Sequence, residues 1–135
     1  MDIKHGTIVA VADGEHFKLF RNVSNDARAK LEALDAPKVD NSNRSAGVHR
    51  PNTGATGEDS RGLEEAGHAA GTVDYLNQQV LQHKIDSLII IADPRSLGEM
   101  RRHYHKELEN ALLGEIAKDL SNNPIPDIES AISAA

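Results

Sequence analysis

The chain contains no cysteine. A disulfide framework, a thiolate zinc site and a cysteine nucleophile are therefore excluded. Tryptophan is also absent, and the four aromatics Phe17, Phe20, Tyr75 and Tyr104 are too few for a sheet that stacks successive bases. No apolar run approaches the ~20 residues that cross a bilayer, and Met1-Asp2-Ile3-Lys4-His5 does not open a secretory signal. The expected location is the cytoplasm, with no membrane partner. A basic excess is missing too. The 15 Lys and Arg face 21 Asp and Glu, for a net charge of -6, which argues against indiscriminate nucleic-acid binding. The P-loop, the dinucleotide fingerprint and the helical metalloprotease motif do not occur. Gly54-Ala-Thr-Gly57 lacks the Lys and Ser/Thr that would engage phosphates and magnesium. No cofactor is implied.

What is present is a chain of 135 residues, 39% hydrophobic and 27% charged, the composition of one soluble domain over residues 1–135. Thr7 to Ala12 is an apolar, β-branched run stopped by Asp13-Gly14 and followed by Glu15 to Arg21. This pattern predicts a hairpin with a type I′ turn, in which both central residues take positive φ. The first strand is apolar at successive positions, as a strand covered on both faces should be. In the second, Phe17 and Leu19 share one face while Lys18 and Phe20 share the other, which places it near an edge. Residues 26–34 favour a short helix by propensity.

From Pro37 to Gly71 the texture changes, with six of the ten glycines and many Asn, Ser and Thr. Such a stretch predicts a flexible loop at about 41–67, and a loop of that length in a compact domain is usually functional or disordered. Val73, Leu76, Val80 and Leu81 then mark a helix over about 69–83, and Ser87 to Ala92 a buried strand. Ser96 and Glu99 have capping-box spacing, which predicts a helix from near Leu97 with Leu97, Met100, Tyr104 and Leu108 inward. Residues 111–120 fit helix or strand equally, and Pro126-Asp127 opens a final helix that buries Ile128, Ala131 and Ile132.

Three groups of residues could carry chemistry. Arg95, Arg101, Arg102, Lys106 and two histidines form the one basic concentration, just past the carboxyl end of a buried strand, where open α/β sheets place ligands. Glu99, His103 and Glu107 share a helical stripe, but His103 and His105 point apart, so solvated charge pairing is the better reading than a metal. Asp13 and Asp93 follow strands that could lie side by side, an arrangement from which a metal-dependent nuclease could draw carboxylates.

The quoted segments also carry a resemblance. Gly6 to Gly14 followed by Phe17 to Asn22, then His49-Arg50-Pro51, Leu88 to Glu107 and Glu115 to Leu120 resemble the host attachment protein family over essentially the whole chain, most specifically from Pro94 to Glu107. That bacterial family is itself similar to the middle domain of archaeal and eukaryotic peptide-chain release factors. The resemblance implies an α/β, ribonuclease-H-like fold with a mixed five-stranded sheet: an antiparallel hairpin and third strand, then α-β-α-β-α. It implies a third strand around 30–36 and a fifth around 111–119, against the helical propensity of the former. In release factors the loop after the third strand carries a Gly-Gly-Gln tripeptide. The matching span here, 41–67, has neither adjacent glycines nor glutamine, so no catalytic residue is carried over.

The resulting expectation is a cytoplasmic, non-enzymatic or weakly enzymatic release-factor-like protein that contacts the ribosome or RNA and affects host-cell attachment indirectly. Its binding residues for phosphate would be Arg44, His49, Arg50 and Arg61 in the loop with Arg95, Arg101, Arg102 and His105 beside the fourth strand. The alternatives are a metal-dependent hydrolase using Asp13, Asp93 and a histidine such as His105, and a protein-protein interaction module.

Overall fold

The computed structural model describes residues 1–37 and 57–135, with the side chains of 57–64 outside that description. The chain forms β1 (Ile8–Ala12), β2 (Phe17–Asn22), β3 (Leu31–Leu34), α1 (Gly57–Leu81), β4 (Leu88–Ala92), α2 (Pro94–Arg101), α3 (Lys106–Ala111), β5 (Leu112–Ala117) and α4 (Ile125–Ala134). The strands make one five-stranded sheet in the order β3-β2-β1-β4-β5. β2 runs antiparallel to β1 and β3, while β4 is parallel to both β1 and β5. This is the mixed, ribonuclease-H-like sheet that the resemblance implies.

Two apolar layers hold it together. Ile8, Ala10, Ala12, Leu88, Ile90 and Ala92 face α1, α2 and α3 and meet Ala69, Val73, Leu76, Leu97, Met100 and Leu108. Val9, Val11, Ile89 and Ile91 face the other way, onto Ile128 and Ile132 of α4. The central strands are thus buried on both sides, the physical reason for their unbroken apolar runs.

Several local expectations give way to longer-range contacts. Residues 31–34 are strand, because β3 pairs with β2 in register from Leu19↔Leu34 to Asn22↔Leu31. The outer edge of that strand is partly closed by α4, whose Glu129 carboxylate accepts the Leu31 N–H at 2.7 Å. Residues 57–67, expected in the loop, are instead the first three turns of α1 despite Gly62 and Gly67. That helix ends at Leu81, where His83 adopts φ 63° and the Lys84 and Ile85 N–H groups both donate to the Gln79 carbonyl. The single helix expected from Leu97 through Leu108 is two, broken at residues 102–105.

The hairpin turn also differs from expectation. The connection is four residues long, and neither Asp13 nor Gly14 has positive φ. The Asp13 N–H donates to the His16 carbonyl, and the Asp13 carboxylate accepts the Glu15 and His16 N–H groups at 2.7 and 2.6 Å. An aspartate side chain that closes a turn in this way removes the need for left-handed backbone. Near the opposite end of the sheet, Asn22 is completely buried and completely bonded. Its amide donates to the Ile3 and Lys4 carbonyls, and its oxygen accepts the Ser24 and Lys30 N–H groups.

Candidate functional site

Because β1, β4 and β5 are parallel, their carboxyl ends form one rim, aligned through the registered residues Ala12, Ala92 and Ala117. β3 points the same way, being antiparallel to β2, so the chain leaves it toward this rim. α1 leads back to the start of β4, and its N-terminal half lies over the rim, where Glu65 packs on the hairpin turn. A Cβ on Gly14 would fall 2.8 Å from the Glu65 Cγ, so only glycine admits that approach. The hairpin turn, the N-terminal part of α1, the head of α2 and the β5–α4 connection therefore meet.

Asp13 is the most heavily bonded group there. Besides the two turn N–H groups it accepts the Ser121 hydroxyl at 2.5 Å, and the His16 Nδ1 lies 3.0 and 3.1 Å from its two oxygens. Burial alone would raise its pKa, but the bonds from Ser121, Glu15 and His16 outweigh burial and hold it down to about 2. Ser121, itself fully buried, is also 3.0 Å from an Asp119 oxygen, so it ties the end of β5 to the end of β1. Over the turn lies His68 of α1, 5% exposed, with its Nδ1 bonded to nothing among the described residues. Burial lowers its pKa, opposed by the backbone and charge of Asp13.

Asp93, next to Asp13 across the strand pair, caps α2. Its Oδ2 accepts the Ser96 N–H at 3.0 Å, and its Oδ1 is buried without a partner among the described residues. The cap is thus Asp93 and not the expected Ser96, since Asp93 stands directly before Pro94, whose fixed φ and missing N–H suit the first helical position. Glu99 does not reach back to the cap but bonds His103, with Oε2 3.1 Å from Nε2. Among the described residues no group of three or more His, Asp or Glu side chains is arranged to hold a metal ion.

The basic segment divides in two. Arg95, in the first turn of α2, has a side chain 77% exposed and lies 3.5 Å from Glu65. Together with Glu65, Ala66, Ser96 and Glu99 it lines a cavity of about 130 Å³ on the rim. The others lie toward the far end of α2, roughly 12 Å away for an eight-residue helix. Arg101 donates twice to a Glu115 oxygen, at 2.9 and 2.7 Å, while the Tyr104 hydroxyl donates to the other oxygen at 2.6 Å. Burial would raise the Glu115 pKa, but these donors hold it below the usual carboxylate range. Arg102 lies 3.6 Å from Glu99. His105 caps α3, its Nδ1 accepting the Glu107 N–H. Its backbone N–H donates to Asn77 of α1, whose amide in turn donates to the His103 carbonyl. Asn77 lies twelve residues beyond Glu65, roughly 18 Å along α1. Arg95 and His105 therefore do not share a patch.

Of the residues expected in the loop, Arg44, His49 and Arg50 lie outside the described residues, and Arg61 falls on the helical backbone of α1 with its side chain outside the description. The rim thus gathers Asp13, Asp93 and Arg95 from the sequence expectation and adds Glu65, His68, Ser96 and Ser121. Glu65 and His68 were hidden because their helix was read as beginning only at residue 69. Ser121 stands beside the Asn122-Asn123-Pro124 breaker, and no local pattern ties it to Asp13.

No helix among the described residues is long and apolar enough to cross a membrane. No curated protein matches the chain. The model of bacterial archaeo-eukaryotic release factor family 12 matches residues 6–132, nearly the whole sequence and every strand of the sheet. That match supports release-factor-like relatives and carries no reference to host attachment. With residues 6–132 covered, the chain belongs to bacterial archaeo-eukaryotic release factor family 12.

Proposed function

We propose that this protein is a cytoplasmic, release-factor-like binding protein that contacts the ribosome or another RNA through the rim at the carboxyl ends of β1 and β4. The observation that carries this reading is that the chain leaves β3 toward that rim and returns over it in α1, whose Glu65 lies 3.5 Å from Arg95. Arg44, His49, Arg50 and Arg61 belong to that span or border it and add cations for phosphate. Arg101, Arg102 and His105 lie farther off: Arg101 and His105 make contacts that hold the fold, and Arg102 is mostly solvated. Gly-Gly-Gln chemistry has no place in the proposal, because residues 41–67 contain neither adjacent glycines nor glutamine. An influence on attachment to host cells would then be indirect.

Co-sedimentation of the purified chain with ribosomes at low and moderate salt tests the reading. Association at low salt that weakens as salt rises is expected for phosphate contacts. Absence from the ribosome pellet at both conditions removes the reading. Association that survives salt and RNase points to a protein surface instead. A second reading, a metal-dependent hydrolase using Asp13 and Asp93, draws support from the adjacent ends of β1 and β4. It requires magnesium- or manganese-dependent RNA or ester cleavage that Asp93→Asn abolishes.

A further inference from the structure

We infer that the end of the molecule opposite the rim docks a basic segment of a partner protein, which seats one apolar side chain in the cavity between the end of α1 and α3. This goes beyond the RNA-contact reading and does not rest on it.

The first ground is where apolar surface is left uncovered. Leu81 and Leu113, 46% and 47% exposed, are the exposed large hydrophobic residues among the described ones. A single exposed leucine is ordinary. These two fall at one end of the fold, Leu81 closing α1 just before β4 and Leu113 near the start of β5, whose amino end lies beside that of β4. At that end a cavity of about 360 Å³ has an apolar floor of Val80, Leu81, Ile85 and Ala111. Leu113 stands two residues from Ala111, within about 7 Å along the chain. Apolar side chains grouped at the surface beside a concavity are the pattern of a protein contact. The five residues of β4, about 16 Å, separate this end from the rim.

The second ground is the backbone that shapes the cavity. α1 ends in a Schellman motif, with the His83 N–H donating to the Val80 carbonyl at 3.0 Å and the Lys84 N–H to the Gln79 carbonyl at 2.9 Å. His83 there has φ 63°, the left-handed conformation in which glycine is the usual occupant. A histidine at that position costs stability that glycine would not, and it lines the cavity. A role for its side chain at the surface accounts for that cost.

Charge then selects the partner. Asp86 and Glu107, both exposed, also line the cavity, and among the described residues that line it none is Lys or Arg. Lys84 is exposed beside it but lies outside the lining. Two carboxylates repel a phosphate backbone, so RNA does not suit this end. A second copy of the chain would bring the same carboxylates face to face in molecules of net charge -6, which disfavours self-association here. An apolar floor with an acidic lip is matched by a protein segment that carries a leucine-like side chain flanked by Lys or Arg.

The test is a titration of the nitrogen-15-labelled full chain with three synthetic peptides, followed by NMR. The first peptide has a leucine flanked by lysines, the second has serine in place of the leucine, and the third has glutamates in place of the lysines. The first should move the amide signals of Leu81, His83, Ile85 and Ala111. The other two should bind at least about tenfold more weakly, as for one lost buried leucine or a reversed charge. Leu81→Ser should weaken the first peptide about tenfold. Asp86→Asn with Glu107→Gln should weaken it about threefold and flatten its salt dependence. His83→Gly should raise the thermal midpoint while weakening the peptide, a split that a purely structural role would not produce. Leu81 is exposed at the end of its helix, so that variant folds.

A lysine peptide that leaves those four signals unmoved overturns the inference. So does binding that Leu81→Ser does not alter, or a glutamate peptide that binds equally well. A concentration-dependent dimer in sedimentation that Leu81→Ser abolishes assigns the cavity to a second copy and overturns the basic partner.

Discussion

The two ends of α2 carry arginines from one short basic stretch, yet they are built differently. At its far end Arg101 and Tyr104 converge on Glu115, Glu99 takes His103, and Asn77 clasps the corner from α1. Every polar group named there is matched at 3.1 Å or less. At its head, Arg95 has one carboxylate at 3.5 Å, and one oxygen of Asp93 is buried with no partner among the described residues. Charge in a sequence therefore says little until its partners are known. Paired cations hold helices to a sheet; a loosely held, exposed one is available to something else.

Substitutions can test that contrast. The largest effect is expected from Glu115→Ala, which strands Arg101 and Tyr104 together. It should lower unfolding stability by about 2–3 kcal/mol in denaturant melts and leave RNA binding unchanged. Asn77→Ala removes the clasp between α1 and the α2–α3 corner and should cost about 1–2 kcal/mol, again without altering binding. At the head of the helix the pattern reverses: Arg95→Ala should stay within about 0.5 kcal/mol of the parent in stability while reducing ribosome co-sedimentation. Arg102→Ala, whose guanidinium is 75% exposed and 3.6 Å from Glu99, should do least of all, near zero in both measurements.

Acid titration separates two groups of the rim by their pH windows, both losing their contribution as pH falls. His68 has a pKa lowered chiefly by burial, so the unfolded chain takes up its proton first. Its contribution is complete above the unfolded value of about 6.5 and declines as pH falls below it. Melts between pH 7.5 and 5 should show this loss, and His68→Gln should remove it. Asp13, held down to about 2, contributes above its unfolded value of about 3.9 and loses that contribution as pH falls toward 2. Asp13→Asn should abolish the second loss and leave the first.

The central part of the fold was legible in the residues. β1 and β4 read as doubly buried strands because nearly every side chain in them is apolar, and each does face two layers. β3 and β5 were legible only through family likeness. The Leu31–Leu34 segment has helical propensity, and what makes it strand is pairing to β2 and a carboxylate from α4, almost 100 residues away. The glycine-spaced start of α1 defeated local reading because Gly62 and Gly67 weaken helix propensity. The second cause was that Glu65 and His68 find their contacts on a distant turn.

Of the site, Asp13, Asp93 and Arg95 could be picked out in advance, since each stands just past a strand. That Asp93 and not Ser96 would cap α2 was ambiguous locally, both being good caps. The pairing of Arg101 with Glu115 could not have been read at all, because it spans 14 residues and joins a helix to a parallel strand.

The carboxylate of Glu129 on the flank of β3 has a consequence for the molecule among its own copies. A strand at the margin of a sheet invites a neighbouring chain to extend the ladder, and many proteins deter this with a bulge, a proline or a lysine. Here a helix on the opposite layer reaches over and takes the Leu31 N–H, so an incoming strand must first evict an ion from its seat. Glu129 thereby guards the Leu31 end of that margin against self-pairing.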